Sequence, residues 1–230
     1  MRFIQAHFYF CMSLIIALVV AYGFSFTVDQ NLIHPSIARP RILYVHSAVF
    51  SGWLFFLILQ SGLIRTRNVR IHKWVGCLGV ALGGAILVLG ISTSITMAHF
   101  NQVYLHLDHV ESDLIIQFFD MISFTIPFIL AIYWRKRPEF HRRLIFVASC
   151  ALTSAAFGRF PHQIVPSGYF YVGVDILIFL GIARDIIVDH YVHLIYILGL
   201  PSLIFGQIIV MYFSTHELSY WLRVAHIILN

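Results

Sequence analysis

Seven continuous apolar stretches of about 20 residues each, with 60% hydrophobic and only 11% charged residues, predict an all-α chain. The fold class is a polytopic membrane helix bundle with seven transmembrane helices. A soluble domain carries roughly 25% charged residues, so this chain lacks the polar surface needed to face water all round. In hydrocarbon every backbone N–H and C=O needs an internal partner, which leaves helices or closed barrels. Barrel strands would read as segments of about 10 residues alternating in polarity. The uninterrupted runs here select helices. No stretch is polar enough for a separate soluble unit, so residues 1–230 form one transmembrane domain.

The first span, 8–28, has a thin basic start and no small-x-small cleavage pattern after it, so it reads as a span and not a removed leader. The second, 43–64, runs into a basic loop, 65–73. The third, 74–98, carries Gly76, Gly79, Gly83 and Gly84. The fourth, 114–134, holds Gln117, Asp120 and Pro127, and a second basic loop, 135–143, follows it. The fifth, 144–164, is rich in Ser149, Ala151, Ser154, Ala155, Ala156 and Gly158. Small residues three and four apart let helices approach closely, which places the third and fifth spans inside the bundle. The sixth, 168–183, is barely long enough to cross at about 1.5 Å per residue. The seventh, 193–213, has Pro201 near its start, where it kinks the helix. The tail, 214–230, reads either as a short amphipathic helix at the outer interface, through Tyr220, Trp221, Leu222 and Arg223, or as an unstructured end.

Basic residues set the orientation. Arg2, the loops 65–73 and 135–143, and Arg184 place eleven on one face, against Arg39, Arg41 and Arg223 on the other. The rich face is cytoplasmic by the positive-inside rule. The N-terminus is then cytoplasmic and the C-terminus outside, in a bacterial inner (cytoplasmic) membrane. The net charge of +5 therefore reports orientation in the bilayer, and no nucleic acid partner is expected. Cys11, Cys77 and Cys150 lie in apolar runs without metal-like or disulfide-like spacing, and read as small packing residues. No phosphate loop, dinucleotide fingerprint or nucleophile elbow occurs.

Two helix starts repeat a pattern: Arg70-Ile71-His72-Lys73-Trp74 and Phe140-His141-Arg142-Arg143-Leu144. Together with "RIHKWVGCLGVALG", "FHRRLIFVASCALTSAAFGRFP" and "ARDIIVDHYVHLIYILG", they resemble an uncharacterised group of bacterial multi-helix membrane proteins. In that group a basic loop with a His-Arg/Lys helix start occurs twice. The resemblance covers about residues 43–200. It implies His46, His72, His141, Arg159, Asp185 and His193 as positions of interest, and no activity. A looser likeness is to b561-type and ferric-reductase-like haem bundles, through inward-facing histidines alone.

Counting residues inward at about 1.5 Å each puts Asp120, Arg159, Asp175 and His46 at one depth below the outer surface. Gln117 and His162 lie slightly nearer the outer water, with His99 at the rim. A charged side chain at mid-bilayer costs about 2.5–3.5 kcal/mol on the lenient scale. The expectation is that Arg159 pairs with Asp120, Asp175 or both. That centre is either a substrate, proton or cofactor pocket open to the outside or a register-fixing ion pair.

Three further candidates stay open. The outer loop holds His106, Asp108 and His109 among its polar residues, a set that could ligate Zn or Cu, or simply be solvated. At the inner face His72, His141 and His193 begin helices amid Arg and Lys, which suits an anionic group better than a bare cation. A b-type haem needs two facing imidazoles, and the choices are His46 with His162 or His99 outside, and His72 with His141 or His193 inside. His141 and His162 are about 31 Å apart along one helix by rise, so stacked double haems do not fit. The resulting functional readings are haem b electron transfer with a quinone or membrane protein partner, a metal-dependent hydrolase or lipid-modifying enzyme, a proton-coupled transporter, and an accessory subunit. The lipid bilayer is a partner in each.

Overall fold

The computed structural model describes residues 2–229, with side chains from His7 to Leu229. The side chain of Arg2, counted above on the basic face, lies outside the described residues. The described residues form α1 (Arg2–Ser25), a π-helical turn (Asp29–Ile33), α2 (Arg41–Arg65), α3 (Val69–Tyr104), α4 (Val110–Tyr133), α5 (Pro138–Ala151), α6 (Ser154–Phe157), α7 (Phe170–Asp189), α8 (Leu194–Thr215) and α9 (Ser219–Leu229), with no strand. Five helices are long and apolar enough to cross a membrane: α1 from His7 onward, α2, α3, α4 and α8. α3 runs for 36 residues, or about 54 Å, well past the predicted 74–98. α5 has only 14 residues. α7 has 20, but Asp175, Arg184, Asp185 and Asp189 interrupt its apolar run.

The predicted fifth span, 144–164, is not one helix. α5 stops at Ala151, α6 adds one turn, and residues 158–169 are turns. Local chemistry explains the break. The Thr153 hydroxyl donates to the Cys150 carbonyl at 2.6 Å, and the Thr153 N–H takes that carbonyl too, at 3.0 Å. A threonine hydroxyl that bonds its own backbone competes with the helical ladder. Downstream, Pro161 has no N–H to donate and biases Phe160 away from helix. The break matters because Ser154, the first residue beyond it, reaches the candidate site.

Packing forms three apolar clusters. The largest joins α1, α5, α7 and α8 through Met12, Ile16, Phe146, Val147, Ile178 and Tyr196. A second joins α2 to α5 through Trp53, Ile86, Phe124, Phe128 and Ala148. The third seats α9 on α3 and α4 through Ala98, Leu114, Ala225 and Leu229. The tail is thus a helix whose apolar face packs on the chain itself, with the Trp221 indole donating to the Glu111 carbonyl at 2.9 Å. Two glycines of α3 act as sockets: Gly79 faces the Phe56 ring and Gly83 the Phe128 ring.

Gly23 does something different. A Cβ there would stand 2.9 Å from the Ala156 carbonyl carbon, and backbone cannot swing aside as a side chain can. Gly23→Ala is therefore expected to destabilise the bundle by about 1–3 kcal/mol. Scanning fluorimetry in detergent should read this as a lowered Tm. Gly84→Ala, with nothing within 4 Å of the added carbon, should leave Tm unchanged.

Candidate functional site

Two polar centres occupy opposite ends of the bundle, and their wiring differs. At the basic end the Arg143 and Asp185 side chains are 0% exposed and Arg184 is 2% exposed. Arg143 grips Asp185 with a bidentate fork, Nε to Oδ2 and Nη2 to Oδ1, both at 2.8 Å. Its remaining donors go to the Asp189 carboxylate at 2.7 Å, and to the Glu139 carbonyl at 2.9 Å and carboxylate at 2.7 Å. Arg184 joins through Asp185 at 2.9 Å and through Asp189, and Arg142 pairs with Glu139. Three cations face three acids. The guanidinium at the centre has spent all five of its N–H donors. This closed clamp fixes α5 to α7. α1 docks on it by placing the Tyr9 ring 5.6 Å from the Arg142 guanidinium and 5.9 Å from that of Arg184, at favourable cation–π range.

Asp120 and Asp175, toward the opposite end, have no such partner. Asp120 on α4 accepts from the Ser154 hydroxyl at 2.7 Å and the Tyr171 hydroxyl at 2.8 Å. Asp175 on α7 accepts from the Gln207 amide of α8 at 3.0 Å. Among the described residues neither acid forms an ion pair. Arg159, expected to neutralise them, instead donates to the Ala155 carbonyl and lies 4.4 Å from the centre of the Phe24 ring on α1. The reason is the helix break: residues 158–169 leave the helix, so Arg159 does not point where helical counting put it. Of the other residues assigned to that layer, His46 stacks on Phe50 with ring centres 4.0 Å apart, and Gln117 is exposed on α4.

Of the histidine pairs considered, the structure brings together His72 and His141, with ring centres 6.4 Å apart and planes at 77°. The His141 Nδ1–H donates to the Ala131 carbonyl at 2.9 Å, one of the last carbonyls of α4 that the helix itself leaves open. His193 caps α8, its Nδ1 accepting from the Ile195 N–H at 3.2 Å. His99 bonds the Leu229 carbonyl at 3.2 Å, and His162 lies exposed among the turns. Neither meets His46. Buried polar atoms without a protein partner recur on α2, α3 and α4: the His46 and His72 Nδ1 atoms, both ends of the Gln60 amide, and the Thr93, Ser123 and Thr125 hydroxyls.

His106, Asp108 and His109 of the α3–α4 loop, Glu111 of α4 and Glu217 of the α8–α9 connection line an open cavity of about 450 Å³. Among the described residues no three His, Cys, Asp or Glu side chains converge to hold a metal, so the His106, Asp108 and His109 set forms no such cluster. His109 and His106 both adopt left-handed backbone, and the His109 imidazole bonds Glu217, which begins the turn into α9. That hydrogen bond, with the Glu217 charge and those of Asp108 and Asp113, raises the His109 pKa above its ordinary value. A raised folded-state pKa adds docking strength below the ordinary histidine pKa and loses it as pH climbs through the raised one. Hydrogen exchange of α9 amides, corrected for intrinsic rate, is expected to quicken across that window. Glu217→Gln should flatten the dependence.

Sequence reasoning missed Ser154, Tyr171 and Gln207. The available signal was that each is a polar side chain inside an apolar run. It also missed the clamp, whose signal was Asp185 and Asp189 one turn apart opposite the second basic loop. No family model, curated protein or solved structure matches the chain.

Proposed function

We propose that this chain is a proton-coupled membrane carrier, with Asp120 as its proton-binding group and Asp175 as a second acid facing its ligand. The observation that carries the reading is the contrast between the two ends. At the basic end Glu139, Asp185 and Asp189 each meet an arginine. Asp120 and Asp175 meet only hydroxyl and amide donors. A carboxylate held in an apolar zone without a cation takes up a proton or a cationic ligand. Discontinuous helices commonly build the binding sites of transporters, and the α5–α6 break delivers Ser154 to Asp120.

The α5–α6 segment and α7 complete seven spans in this reading. The charged ends of α5 and α7 gather at the basic, cytoplasmic face, and the N-terminus lies inside and the C-terminus outside. Charged Asp120 accepts two hydroxyl hydrogen bonds. Once protonated, one of its oxygens carries an O–H that can donate, which lets the Ser154 or the Tyr171 contact reverse. Proton uptake can thereby rewire the tie between α4, α6 and the start of α7. A pH jump on a solid-supported layer of proteoliposomes tests this without a known substrate. Proton entry into the low-dielectric zone should give a transient current, and a current no larger than that of protein-free liposomes would remove the reading.

One observation favours a second reading. The His72–His141 pair supplies two imidazoles from two helices, His141 with its Nδ1 satisfied by a carbonyl, as histidine ligands commonly are. Nearby Arg70 and Lys73 would suit haem propionates, so the donor set fits a b-type haem, which would supply one-electron chemistry. A reduced Soret band in purified protein, lost in His141→Ala, tests it. A colourless preparation excludes it.

A further inference from the structure

A groove of about 450 Å³ runs between α7 and α8 on the outer side of the bundle, within the size range of small-molecule sites. Its walls include Tyr171, Val172, Ile204, Ile208 and Met211, with Asp175 and Gln207 among them. Val172 is 49% exposed and Ile208 63% exposed. In a bilayer such apolar flanks face acyl chains, so the groove opens sideways to lipid. Asp175 is the one Asp, Glu, Lys or Arg lining it. His216 stands at its far end with Nδ1 engaged by the Tyr212 carbonyl at 3.1 Å and the Thr215 hydroxyl at 3.1 Å. The Gln207 amide is the single hydrogen-bond partner of the Asp175 carboxyl among the described residues. Asp175 begins the second turn of α7, about 7.5 Å along the helix from Phe170, a depth that a headgroup amine reaches while its tail stays in hydrocarbon.

We infer that this groove binds a primary ammonium carried on an apolar chain, the ammonium on Asp175 and the chain along the walls formed by Ile204, Ile208 and Val172. The inference rests on the carrier reading only for its purpose, since it names the ligand class that Asp175 would face. Charge complementarity selects the ligand: an acid in an apolar slot with no protein cation is matched by an ammonium and by no anion. The same chemistry is available from a phosphatidylethanolamine headgroup or from a free long-chain amine.

The test is equilibrium binding of dodecylamine to the full chain in phosphatidylglycerol nanodiscs, with dodecanol as the uncharged comparison. Saturable binding at one site is expected, at least tenfold tighter for the amine. Asp175→Asn should lose at least tenfold for the amine and keep its binding of the alcohol, which also certifies an intact groove. Ile208→Trp, which fills the slot, should weaken both. Equal affinity for amine and alcohol, or an Asp175→Asn variant that binds the amine as before, overturns the inference. Native mass spectrometry of protein extracted from phosphatidylethanolamine-containing membranes assigns the source. A retained phosphatidylethanolamine that Asp175→Asn lacks indicates the lipid. Amine binding with no retained lipid indicates a free amine. Binding at equilibrium needs no gradient, so its failure is separable from absence of the pH-jump current.

Discussion

Arg143→Met is expected to cost this protein more stability than any other single change at the basic end. The substitution removes the partner of a fully buried carboxylate. Asp185, at 0% exposure, would keep only Arg184, at 2.9 Å, and lose both prongs of the fork. Breaking a buried pair from one side costs about 3–5 kcal/mol. For a chain of this size that corresponds to roughly 6–20 °C in Tm. Thermal unfolding in detergent and the yield of monodisperse protein are the measurements. The double variant Arg143→Met with Asp185→Leu should recover most of the loss, because an apolar replacement of both partners is often neutral. Arg143→Lys should fall between, keeping charge without the planar fork. Asp189→Asn should cost less, since Asp189 remains 19% exposed and water screens it. A single Arg143→Met variant with unchanged Tm would deny the clamp its structural role.

How far the sequence carries can be read from Arg159 and Asp185. Helical counting puts Arg159 inside the fifth span and leaves Asp185 on the connection after the sixth. It finds helices where the chain is apolar, because a run of apolar residues is a one-dimensional signal, and five of the described helices are long and apolar enough to cross a membrane. It puts Asp120 and Asp175 within helical runs, and both lie in helices, α4 and α7. It fails at Arg159 because one hydroxyl, that of Thr153, diverts a carbonyl and breaks the helix upstream, and every position counted past that point rotates off its expected face. The clamp stayed hidden for a different reason. Its residues belong to α5 and α7, 42 positions apart from Arg143 to Asp185, and such a pairing depends on how helices pack in three dimensions. Loop 135–143 read as a basic cytoplasmic loop, yet its last residue, Arg143, is the largest fully buried side chain among the described residues. The histidines divide the same way. That His141 and His193 begin helices was visible; that His141 also ties to an open carbonyl of α4 needed the neighbouring helix end.

Asp120→Asn is expected to abolish proton binding while leaving the fold standing. Asparagine is nearly isosteric with aspartate. Its carbonyl oxygen can accept from Ser154 or Tyr171, and its amide can donate to the hydroxyl that remains, so both ties of 2.7 and 2.8 Å have replacements. The helix break at Leu152 and Thr153 and the packing of Phe124 and Ile178 do not involve the carboxyl. Tm should therefore shift by no more than a few degrees. What the amide cannot do is take a proton. The pH-jump current should fall at least tenfold. The infrared carbonyl stretch of a protonated carboxylic acid, seen in a pH titration of the wild-type protein, should disappear. Tyr171→Phe supplies the complementary case. It removes one of the two donors to Asp120 and leaves the carboxyl in place, so the current should be retained. If Asp120→Asn retained the full current, Asp120 would be a structural acid. Ser154 and Tyr171 would then be nothing more than its anchors.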